Sequence, residues 1–167
     1  AAPFSGGVWY DEQDSLYKMW YSAGGGKKHG LITCYAESHN GVDWMKPVLD
    51  IVAGTNIVDT LEHDCVTVIL DKYELDKTKR YKMFCVQFDT PSVVSMVLKY
   101  SRDGKHWSEP VALSGDLYDR CSAYFDAFRN RYVLTIAIEY GSFLLSVRYN
   151  FRRQSRYICS SVLSACI

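Results

Sequence analysis

Apolar residues along this chain gather in short runs broken by polar turns, and the runs recur at matched places. Val8-Trp9-Tyr10, Val68-Ile69-Leu70 and Ala123-Tyr124-Phe125 each close on an aspartate: Asp11, Asp71 and Asp126. Short runs rich in β-branched and aromatic residues, bounded by polar turns, read as strands. A second strand is expected to open at Tyr17, Tyr81 and Tyr132, and a third to reach Tyr35, Tyr100 and Tyr149, which lie 18, 19 and 17 residues further on. Three units therefore share one spacing.

Two of these units also share their wording. Tyr17-Lys18-Met19-Trp20 returns as Tyr81-Lys82-Met83-Phe84, and Asn40-Gly41-Val42-Asp43-Trp44-Met45-Lys46-Pro47 returns as Asp103-Gly104-Lys105-His106-Trp107-Ser108-Glu109-Pro110. Trp44 to Trp107 and Pro47 to Pro110 both span 63 residues. A repeat of this length made of several short strands suits a β-propeller blade. Asn-Gly and Asp-Gly between strands three and four are hairpin signals, expected here because both turn residues would take positive φ. The predicted fold class is all-β: a partial propeller domain over 1–167, with four-stranded antiparallel blades at about 3–50, 62–113 and 119–150. The repeat fails in the tail, 151–167, which is expected to pack poorly. Propellers close with about four to eight blades, and 167 residues hold roughly two and two-thirds repeats, so the sequence reads as a fragment.

Charge narrows the partners. Nineteen basic and nineteen acidic residues balance to a formal net charge of zero, and there is no basic block longer than Lys27-Lys28 or Arg152-Arg153. Phosphate binding usually needs a basic surface, so the balance argues against nucleic acid. No apolar run approaches the roughly 20 residues of a membrane-spanning helix, so no membrane partner is expected. The six cysteines, Cys34, Cys65, Cys85, Cys121, Cys159 and Cys166, form no C-x-x-C pair and match no zinc template; they read as structural thiols. His29, His39 and His106 read as turn residues, and no metal or other cofactor is expected.

The apolar-apolar-Tyr-Asp segment, Tyr-Lys-Met-Trp-Tyr, and Cys-Tyr-Ala-Glu-Ser-x-x-Gly-x-x-Trp-x-x-Pro together resemble bacterial five-bladed β-propeller proteins of, or close to, the glycoside hydrolase families 32, 43 and 68. The resemblance covers roughly residues 3 to 150. Phe4-Ser5-Gly6-Gly7-Val8 is similar to the segment that opens the second blade in the fructan-cleaving enzymes, and His63-Asp64-Cys65 falls where those have Arg-Asp-Pro opening the third. By that resemblance the chain spans blades two to four, and the blade carrying the nucleophilic aspartate lies upstream of Ala1. It implies hydrolysis of glycosidic bonds in furanosides or other glycans, a carbohydrate partner, and a secreted or periplasmic location. It also implies that residues 1–167 alone are inactive.

Asp64 lies seven residues before Asp71, as Asp119 does before Asp126. In a propeller the first strand of each blade lines the central channel, so both carboxylates would enter one funnel. Glycoside hydrolysis needs such a set, one group to protonate the leaving oxygen and another as nucleophile or base. The resemblance makes Asp64 the carboxylate that bonds sugar hydroxyls in the transition state and places Asp119 at the general acid, where the family has Glu. Arg120 beside it would favour the ionised form, opposite to what an acid requires. Asp116 is a rival for that place. Each of these aspartates also reads as a turn residue whose side chain bonds nearby amides.

His63 reads as a group that bonds a sugar hydroxyl or orients Asp64, or as a solvated loop histidine. Trp9 or Tyr10 is expected to face the funnel as a sugar contact, since a strand alternates its faces. Trp44 and Trp107 read as blade packing. The alternative to a glycosidase is a propeller that binds carbohydrate, or serves as a scaffold, without catalysis.

Overall fold

The computed structural model describes residues 6–24, 30–90, 93–114, 117, 121–140 and 143–152. The described chain is all-β and antiparallel. A seven-stranded sheet runs in chain order through β1 (Val8–Asp11), β2 (Leu16–Gly24), β3 (Leu31–Ser38), β4 (Ile57–Leu70), β5 (Tyr81–Thr90), β6 (Val93–Ser101) and β7 (Ala112–Leu113). A three-stranded sheet holds β8 (Ser122–Asp126), β9 (Arg131–Tyr140) and β10 (Phe143–Arg152) in the order β10-β9-β8. Among the described residues no helix is long and apolar enough to cross a membrane. The tail from 153 onward lies outside the described residues.

The three aspartates that close the first strands do the same local work. Each carboxylate accepts the amide two residues on: Asp11 from Gln13 at 3.0 Å, Asp71 from Tyr73 at 3.1 Å, and Asp126 from Phe128 at 3.1 Å. This side-chain turn ends the strand and starts the reversal. Ser15 and Asn130 take positive φ to complete the first and third reversals. The second is longer and includes a 3-10 turn, Lys77–Lys79, capped by Asp76.

The Asn-Gly and Asp-Gly turns form by a different route from the expected one. Only the glycines take positive φ, Gly41 at 75° and Gly104 at 79°, while Asn40 and Asp103 do not. Side chains shape these loops instead. Ser38 Oγ accepts the amides of Asn40 and Gly41, and Asn40 Oδ1 accepts those of Val42 and Asp43. Ser101 and Asp103 repeat this with Asp103, Gly104, Lys105 and His106.

β4 is the pivot of the fold. Its first part pairs with β3 and its second with β5, and the register shifts in both ladders. Trp20 of β2 meets Tyr81 of β5 with ring centroids 5.4 Å apart, although β3 and β4 lie between them in the sheet. The sheet is therefore folded at β4, with its halves face to face. Trp20, Tyr35, Val66, Val68, Tyr81 and Met83 fill the space between the halves. The opposite face of β4–β6, with Ile69, Phe84, Met96 and Leu98, packs on Ala123, Tyr132 and Leu134 of the three-stranded sheet.

Buried polar links join the layers and recur with the repeat. Asp11 accepts from Lys18 of its own unit at 3.0 Å and from Arg80 and the Tyr81 hydroxyl of the next. Asp71 accepts from Lys82 of its own unit at 3.2 Å and from the Tyr132 hydroxyl of the next. Trp20 Nε1 donates to the Gly104 carbonyl at 2.6 Å, and a Cβ at Gly104 would overlap the Trp20 ring. Trp44 and Trp107 are half-buried against the core, as packing residues.

Candidate functional site

Three strands that open the repeats come together at one cavity. The β1 end, the C-terminal part of β4 with the turn after it, and β8 enclose about 390 Å³. Trp9, Thr67, Asp71, Tyr73, Tyr124 and Phe125 are among its lining residues. Gly7 permits the close approach of β1 to β4: its φ is +99°, and a Cβ there would meet the Val68 carbonyl at 2.6 Å. Gly6 accepts from the Val68 amide at 2.9 Å just before it.

The strand alternation decides between Trp9 and Tyr10. Trp9 lines the cavity, with its indole fixed by a 2.7 Å hydrogen bond from Nε1 to the Val68 carbonyl. Tyr10 points the other way, 41% exposed and against Tyr17. Tyr73 and Tyr124 leave much of their rings open to solvent, so the cavity has aromatic walls reachable from outside. Its polar groups are few. Thr67 Oγ1 is buried with no hydrogen-bond partner, and Asp71 is held by Lys82 and Tyr132.

Asp64 lies on the same strand, nearer its start. It is half-buried within the irregular stretch between the His63–Gln87 and Val66–Cys85 pairs. Thr67 lies three positions further on, about 10 Å of strand. Asp116 and Asp119 lie outside the described residues, as does Phe4, the position equivalent to Asp64 in the first unit. The Asp64 carboxylate therefore stands on the strand that forms the cavity wall.

His63 occupies neither of the surroundings expected of a loop histidine. It is 1% exposed within β4, with Nε2 3.0 Å from Thr33 Oγ1 and Nδ1 buried without a partner. Burial lowers its pKa to about 4; the Asp59 charge opposes that and Lys99 adds to it. Asp59 and Lys99 form a buried ion pair at 2.6 Å, and Asp59 also accepts the Leu61 amide at 2.9 Å. His63 is thus a neutral, enclosed ring behind Asp64. It is placed to fix the local course of β4, and in this arrangement it does not reach the surface.

Sequence reasoning missed the Asp59–Lys99 pair and the burial of Lys18 and Lys82. For the latter two a signal existed: an aspartate closing one strand and Tyr-Lys opening the next, in two of the three units. The chain matches no known protein-family model, and no curated protein matches it.

Proposed function

We propose that this chain is part of a β-propeller protein of glycoside hydrolase type, and that sugar binds in the cavity between the first strands of its units. The observation that carries this reading is the convergence of β1, β4 and β8 on a single cavity with aromatic walls. Its volume falls in the range of small-molecule sites, which are mostly apolar with a few polar groups. Trp9, Tyr73, Tyr124 and Phe125 offer ring faces to the apolar face of a furanose or pyranose. Asp64 supplies a carboxylate on the adjoining stretch of β4, and Asp119 or Asp116 is the partner that hydrolysis requires.

Binding without catalysis is the second reading. The state of Asp71 favours it, because the cavity's own described carboxylate is committed to Lys82 and Tyr132. One experiment separates the readings. The chain is titrated with furanoside and pyranoside oligosaccharides by calorimetry. Saturable binding weakened in Trp9→Ala is expected under both readings. Reducing-sugar release is followed in the longer protein of which this chain is proposed to be part: release abolished by Asp64→Asn, with binding retained, marks the hydrolase, and binding with no release marks the binder. Binding of no sugar overturns both.

A further inference from the structure

At the junction of β4 with the three-stranded sheet, two cysteines 56 residues apart in sequence meet. The Cys65 thiol donates to the Cys121 carbonyl at 3.0 Å, and the Cys121 amide donates to the Cys65 sulfur at 3.2 Å. Both residues are buried in the same apolar cluster. A disulfide needs Cα atoms about 4.4–6.8 Å apart. The Cys65 sulfur lies within 3.2 Å of both backbone polar atoms of Cys121, a contact that sets the two residues side by side. The other two described thiols are placed differently. Cys34 belongs to a separate cluster on β2 and β3. Cys85 pairs with Val66 across the ladder, so it faces away from Cys65 on the other side of the sheet.

We propose that Cys65 and Cys121 form an oxidisable pair that closes to a disulfide between β4 and the start of β8. The oxidant is a low-molecular-weight disulfide. One cysteine thiolate attacks it, expels one small thiolate and leaves a mixed disulfide. The other cysteine thiolate then attacks the protein sulfur and expels the second. One S–S bond breaks in the oxidant, one forms in the protein, and the two small thiolates take up the two protons the cysteines lose. Because both sulfurs are buried, exchange proceeds when β8 lifts from β4. Its ladder hydrogen bonds run to β9, so lifting it breaks the Cys65–Cys121 hydrogen bonds and side-chain packing and leaves that ladder intact. The bond ties together two walls of the cavity and closes a long loop, which restricts the unfolded chain.

The test uses the full chain, incubated folded with oxidised glutathione, alkylated, and digested with trypsin and a glutamate-specific protease. The four described cysteines then fall in separate peptides, Cys65 in 63–72 and Cys121 in 121–129. A 63–72/121–129 cross-link that reductant cleaves is expected, together with a higher midpoint of thermal unfolding that reductant reverses. A Cys65–Cys85 cross-link overturns the assignment. So does recovery of Cys65 and Cys121 as separate peptides under conditions where iodoacetamide modifies Cys65 in the unoxidised protein.

Discussion

A single ring, His63, carries a pH dependence whose sign follows from burial. An unfolded histidine takes up its proton near 6.5, whereas the buried ring resists until about 4. Between those values the unfolded chain binds more protons, so stability falls as pH drops through that window and is fully present above it. At about 1.4 kcal/mol per pKa unit the loss sums to about 3 kcal/mol. Urea midpoints measured from pH 7 to pH 4 should show it, and His63→Gln should remove that part of the slope; an unchanged slope would place the ring in water. Gly104 makes a second prediction at this scale. A side chain there meets both a φ of 79° and the Trp20 indole, so Gly104→Ala should cost about 2–4 kcal/mol in urea denaturation. Neither residue announced its role in the sequence. His63 read as a loop residue because a register shift in β4 leaves no trace in composition. Gly104 was recognised as a turn glycine, but its contact with Trp20 spans 84 residues.

Strand against strand, the aspartates that end the first strands are also the joints between units. Burial pushes the Asp11 carboxyl up, but hydrogen bonds from Arg80, Tyr81 and Lys18 overcome this and hold it well below the usual carboxylate range. Asp11→Asn takes the carboxylate from buried Arg80 and leaves Lys18 with the half-exposed Asp14 alone, and should cost about 3–5 kcal/mol. Tyr81→Phe and Tyr132→Phe each remove one hydrogen bond to a carboxylate across a unit boundary, and each should cost about 1.5–3 kcal/mol by chemical denaturation. Closely similar losses would establish that the two joints are equivalent; a neutral Tyr132→Phe would show that the second does not bear on stability. At this scale the sequence was most legible. The strand ends at Asp11 and Asp126 and the opening at Tyr81 fall where hydrophobic runs and turn residues placed them. The partners of those residues were hidden, because Asp11 meets Tyr81 through a fold that brings together positions 70 apart.

Across the whole molecule, the layers are stacked so that two faces of the β4–β6 region are covered, by β2–β3 on one side and β8–β9 on the other. The cavity lies where the opening strands of these layers converge. First strands of the units line this cavity, and Trp9 is among the lining residues. Tyr73, Tyr124 and Phe125 were not singled out, because only the stacking of layers brings their rings to one wall. Trp9→Ala, by removing that wall's fixed indole, should weaken sugar binding at least tenfold by calorimetric titration if the cavity is the binding site.

β4 belongs to two units at once, giving its first residues to the ladder with β3 and its last to the ladder with β5. A cut inside Ile57–Leu70 divides a strand that both repeats use, whereas 39–56 lies outside the strands. Recombination inside β4 would then swap half-strands rather than modules, whereas exchanges in the turns after Asp11, Asp71 and Asp126 would leave the ladders whole.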